Sequence, residues 1–86
     1  MRMQWTEREK RPMDDGQIVA LYWDRNEQAI KETDYKYRKY LFTVAYNLLR
    51  DILDCEECIN DTYVGAWNAI PPQKPAVLKM LIAVHL

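Results

Sequence analysis

Cys55 and Cys58 stand one helical turn apart, and a C-x-x-C at a helix start is the spacing of a redox pair or of half a metal site. The rest of the chain does not supply what such chemistry needs. There is no second C-x-x-C, the only histidine is His85, and the two acids between the cysteines would raise a thiol pKa rather than lower it. Both cysteines are therefore read as reduced, metal-free core residues, since free Cys behaves as a small hydrophobe. No cofactor is expected. The sequence also lacks a Gly-rich phosphate loop, a Ser/His/Asp arrangement and a carboxylate pair spaced for acid–base work, so no enzymatic activity is expected.

Recognition is a better fit for the same segment, Asp54 to Ile70 (DCEECINDTYVGAWNAI). Asp54 is an N-cap candidate, with Glu57 at capping-box spacing. At 100° per residue, Cys55, Cys58, Ile59, Thr62, Ala66, Ala69 and Ile70 share one arc, with Tyr63 at its edge. The opposite arc gathers Glu56, Glu57, Asn60, Asp61 and Asn68, and with them Val64 and Trp67. An apolar spot rimmed by acids and amides is the pattern of a docking surface for a basic partner helix. The plainer alternative is that Trp67 covers the neighbouring helix or the Pro71-Pro72 turn.

The elements that must position this face follow from periodicity. Asp14 and Asp15 precede Ile18, Val19, Leu21, Tyr22 and Trp23, which predicts a first helix over about 15–24. Asn26 caps a second, over 26–50, carried by Ala29, Ile30, Tyr37, Leu41, Val44, Ala45 and Leu48, with Thr33 and Asp34 marking a bend or a break. Tyr35, Phe42, Tyr46 and Leu49 widen its apolar stripe, so it should lie between two neighbours. A third helix spans 54–70 and ends at Pro71, Pro72 and Pro75. The predicted fold is all-α, a small bundle of three to four helices. Its core includes Ile18, Tyr22, Ile30, Tyr37, Leu41, Val44, Leu48, Ile59 and Ala66. Residues 1–13 read as a mobile leader, 14–72 as the helical domain, and 73–86 as a short apolar segment, either a packed, truncated helix or a sticky end.

With 86 residues and a net charge of −1, the chain is one small domain and not a strongly electropositive nucleic-acid binder. Any basic surface is local. Lys36, Lys39 and Arg50, with Thr43 and Asn47, form a narrow strip on the second helix that could touch a phosphate backbone or simply be a solvated edge. No apolar run reaches the roughly 20 residues of a membrane span, and the N-terminal residues are charged where a signal peptide is hydrophobic. A cytoplasmic location is expected.

The order Ile18-Val19-x-Leu21-Tyr22, then Ala29-Ile30, Tyr37, Leu41, Ala45 and Leu48, then the run Asp54 to Trp67, resembles conserved region 2 of bacterial RNA polymerase sigma factors, particularly the small extracytoplasmic-function type. The last run is the most specific part: a D-A-E-D/E-like turn, an apolar pair, Gln/Asn, an acid, a small residue, an aromatic and, a turn later, Trp. The resemblance covers about residues 15 to 79. It implies that Glu57, Asn60, Asp61, Val64 and Trp67, with Tyr63 flanking, dock on a basic coiled-coil of the largest subunit of core RNA polymerase. Those are nearly the residues of the acidic arc.

Such sigma factors continue with an aromatic and basic helix that melts and reads the promoter, and then with a helix-turn-helix domain. This chain stops at Leu86, and Met80 to Leu86 do not follow the family's continuation. Promoter DNA is accordingly expected as a partner only within holoenzyme, and duplex DNA alone should bind weakly. An anti-sigma protein is a further partner that the resemblance implies. The rival reading is a small helical homodimerisation or interaction domain that uses the apolar C-terminal stretch as a symmetric interface.

Overall fold

The structure, a computed structural model, describes residues 11–86; most of the expected leader lies outside the described residues. Four helices follow one another: α1 (Asp15–Trp23), α2 (Gln28–Leu49), α3 (Ile52–Ala69) and α4 (Leu78–His85). There is no strand among the described residues, and the bundle is all-α as expected.

Each junction has a local cause. At the start of α1 the Asp14 N–H donates to Gln17 Oε1 at 3.3 Å. The helix ends in a Schellman turn: Asn26 N–H reaches Leu21 O, and Arg25 N–H reaches Tyr22 O, both at 3.0 Å. The left-handed position of that turn, usually glycine, is Arg25, at φ 55°. The N-cap position of α2 is Glu27, one residue after the expected Asn26, whose Oδ1 accepts from Gln28 N–H at 2.9 Å in the turn that leads into the helix. Two residues, Arg50 and Asp51, join α2 to α3. Arg50 is also left-handed, at φ 56°. Asp51, not Asp54, is the N-cap of α3, its side chain accepting from Asp54 N–H at 3.0 Å. The apolar first turn, Ile52 and Leu53, disguised that start in the sequence.

The core is a single cluster contributed by all four helices, with Ile18, Tyr22, Leu41, Ile59, Leu78 and Ile82 fully buried. Thr33 and Asp34 do not break α2, which is continuous. The buried Thr33 hydroxyl donates to Ala29 O (2.8 Å) and accepts from Tyr22 OH (2.6 Å), so its polarity is satisfied inside the bundle. Of the predicted core, Ile30, Tyr37 and Val44 are half-buried and Leu48 is 75% exposed. α2 lies between neighbours for most of its length, but its last turn runs past the ends of α1 and α4, so Leu48 has nothing to pack on.

Residues 73–86, set apart in the sequence reading, belong to the same globule. Leu78, Leu81 and Ile82 of α4 fill the core. α4 is fixed at both ends. Asp15 Oδ2 accepts from its first N–H, Leu78, at 3.0 Å. At the other end His85 packs so closely on Gly65 of α3 that a Cβ there would sit 2.8 Å from the ring. The same Asp15 carboxylate takes Lys36 Nζ at 2.8 Å and Tyr37 OH at 2.6 Å, joining α1, α2 and α4 at one point. Met13 packs against the core, and its carbonyl accepts from Lys36 Nζ at 2.9 Å.

Candidate docking face

α3 turns its small and apolar arc inward: Cys55, Ile59, Thr62 and Ala66 are buried, Cys58 and Ala69 half-buried, as the helical wheel predicts. Burial pushes the Cys55 thiol up, away from reactivity. The Cys58 Sγ is half-covered and lies 3.5 Å from the Leu86 carbonyl.

The outer arc is set by the contact with α2. Arg38 of α2 bridges Asp34 on its own helix (3.2 Å) and Glu56 on α3 (2.6 Å), and Tyr63 OH donates to Asp34 Oδ1 at 2.7 Å. These bonds hold one side of α3 against α2 and leave the adjacent side in solvent. Tyr63, a predicted flanking contact for a partner, is thereby removed from the surface: it is buried between the helices. Burial, then the Asp34 carboxylate, raises its pKa well above the usual tyrosine range. The wheel put it on the border of the core arc, and the Asp34 acceptor turned it inward.

Glu57, Asn60, Asp61 and Val64 are where the sequence put them, exposed in a row along α3, with Val64 58% accessible. Glu56 is neutralised by Arg38, whereas neither Glu57 nor Asp61 is in an ion pair among the described residues. The negative field of the face therefore comes from those two carboxylates.

Trp67 is a mixed case. Its ring packs against Tyr22 (centroids 6.1 Å apart, 58° between planes), and the Arg25 guanidinium lies 3.8 Å above it. One Arg25 nitrogen also donates to the carbonyls of Trp67 (2.8 Å) and Ile70 (2.9 Å). Arg25 so satisfies the open C-terminal carbonyls of α3, which accounts for its tolerance of a backbone conformation that costs a non-glycine residue roughly 1–2 kcal/mol. The plainer reading of Trp67 is thus correct for most of the ring. What remains accessible borders a shallow depression lined by Glu27, Ile30 and Lys31.

Two further residues were missed. Leu53, 79% exposed, continues the row: 53, 57, 60, 64 and 67 alternate steps of four and three, the seam spacing of a helix that packs lengthwise on another. Arg25 gave no sequence signal, because its role depends on a contact more than 40 residues away. Of the basic strip, Lys36 is engaged by Asp15 and Met13 and is not a free contact, since its amine is drawn to the buried end of α1. Lys39 and Arg50 are exposed, 11 residues or roughly 17 Å apart along the helix.

Comparison of the chain with known protein families, with curated proteins and with solved structures gives no match in any of the three.

Proposed function

We propose that this chain is a module resembling sigma factor region 2 that binds core RNA polymerase through the outer face of α3, in transcription initiation, with no enzymatic activity of its own. The observation that carries the reading is the exposed row Glu57, Asn60, Asp61 and Val64. It puts the apolar Val64 beside two carboxylates, Glu57 and Asp61, that are in no ion pair among the described residues, on a helix face that no other element of the bundle covers. Acids steer a basic helix and accept charge-assisted hydrogen bonds from Arg, while Val64 offers the surface that loses water on contact. The resemblance supplies the identity of that helix, the coiled-coil of the largest polymerase subunit, and with it the cytoplasm as the place of action. No helix among the described residues is long and apolar enough to cross a membrane. Promoter DNA would be touched only from within holoenzyme, with Lys39 and Arg50 as the accessible cations.

Binding of the full chain to purified bacterial core RNA polymerase, read by biolayer interferometry, tests this. Val64→Lys and Asp61→Lys should each weaken binding more than tenfold while the helical circular dichroism and melting temperature stay those of the parent. Parent-like binding by both variants, or no binding by the parent, would overturn it.

A further inference from the structure

At the end of the hairpin remote from Trp67, α2 and α3 overrun the bundle. Leu48 is joined there by Ile52 at 60% and Leu53 at 79% exposure, with Leu49 and Tyr46 also exposed. Four of these side chains, Leu48, Leu49, Ile52 and Leu53, fall within six consecutive positions where the two helices meet. With about 100 Å² for a fully exposed Leu or Ile side chain and about 200 Å² for Tyr, the five side chains together offer about 330 Å² of surface. That lies within the range of the largest apolar patch on a monomer, about 300–600 Å², and would supply most of the apolar share of one partner's half, about 800 Å², of a standard interface.

We propose that this tip is an isologous interface at which a second copy of the chain packs its own α2–α3 tip across a two-fold axis. The polar groups at the bend select a second copy over other occupants. Arg50, Asp51 and Asp54 are exposed, and none is in an ion pair among the described residues. An acidic partner would meet Asp51 and Asp54, and a basic one would meet Arg50. A surface carrying the same residues in two-fold arrangement sets each arginine against the other copy's acids. Leu48 and Ile52 lie on the inward sides of their helices beyond the ends of α1 and α4. A second hairpin laid against them completes a four-helix layer. Ile52 and Val64 are 12 residues, roughly 18 Å, apart along α3, so pairing at the tip leaves the outer acidic row accessible. Leu53 belongs to both the tip and the outer row, so the two proposals are separated by Val64→Lys and Asp61→Lys, which lie outside the tip, and by Leu48→Lys with Ile52→Lys, which lie outside the row.

Sedimentation equilibrium of the full chain from about 1 to about 200 µM tests the proposal over the range in which an interface of this size is populated. The parent should move from monomer to dimer mass, and Leu48→Lys with Ile52→Lys should remain monomeric with unchanged helical dichroism. Arg50→Glu leaves an acidic tip and Asp54→Arg a basic one, with Asp51 kept as the cap of α3. Each alone should dimerise at least tenfold more weakly than the parent, and an equimolar mixture should recover the dimer. A parent that stays monomeric throughout, a dimer that survives the double lysine variant, or a mixture no tighter than its components would overturn it.

Discussion

Replacing Asp15 by Asn should be among the most damaging single-atom changes in this chain. The carboxylate holds three donors from two other helices: Lys36 Nζ at 2.8 Å and Tyr37 OH at 2.6 Å from α2, and the first N–H of α4 at 3.0 Å. Burial by itself would raise the Asp15 pKa, but these hydrogen bonds and the Lys36 charge outweigh it and hold the group below the ordinary carboxylate value. Hydrogen bonds to charged groups contribute about 1.5–3 kcal/mol each. The amide keeps one accepting oxygen but loses the charge that Lys36 needs, and it presents an NH₂ where another donor sits. A net loss of about 2–3 kcal/mol is expected, and for a domain of this size that lowers the melting temperature by roughly 10–20 °C. The pH dependence has a fixed sign. Because the folded-state pKa is lowered, the stabilisation is complete above the unfolded value of about 3.9 and disappears as pH falls through the lower folded value. Thermal melts of Asp15→Asn and parent should therefore differ at pH 7 and converge only as the pH falls below the lowered folded-state value of Asp15. Amide exchange in α4 should be faster in the variant at neutral pH. Equal melting temperatures at pH 7, or a gap that persists unchanged in acid, would refute the role given to Asp15.

Trp67→Ala should lower stability as well as partner affinity, by about 2 kcal/mol for a half-buried indole that packs on Tyr22 and under Arg25. Chemical denaturation would show it, and parent-like stability would return Trp67 to the surface. Among the thiols, Cys58 should alkylate before Cys55 in the native protein, because Cys55 is fully buried and its pKa is raised. Mass spectrometry after brief iodoacetamide treatment at neutral pH reads the order, and Cys55 reacting first would contradict the packing of α3.

Helix identity was legible wherever apolar residues recur with a period near 3.6, and the core arc of α3 was legible nearly residue by residue, from Cys55 to Ala69. That information is local: the angle between positions is a property of the helix itself. The same holds for the row Glu57, Asn60, Asp61 and Val64, which needs only α3 to exist. Other placements depend on where neighbouring helices stop or on which atom lies opposite. Leu48 has the periodicity of a core residue, but α1 and α4 end before reaching it. Tyr63 sits on the border of two arcs and was drawn inward by Asp34, which the sequence offered as a helix breaker. Lys36 looks like a member of a basic strip until Asp15 takes its charge. Arg25 and Asp15 join segments more than 40 and more than 60 residues apart in the chain, and no window of sequence contains both ends of either contact. Periodicity assigns a residue to a side of its own helix; only the packed bundle decides whether that side meets a partner, a counter-charge or water.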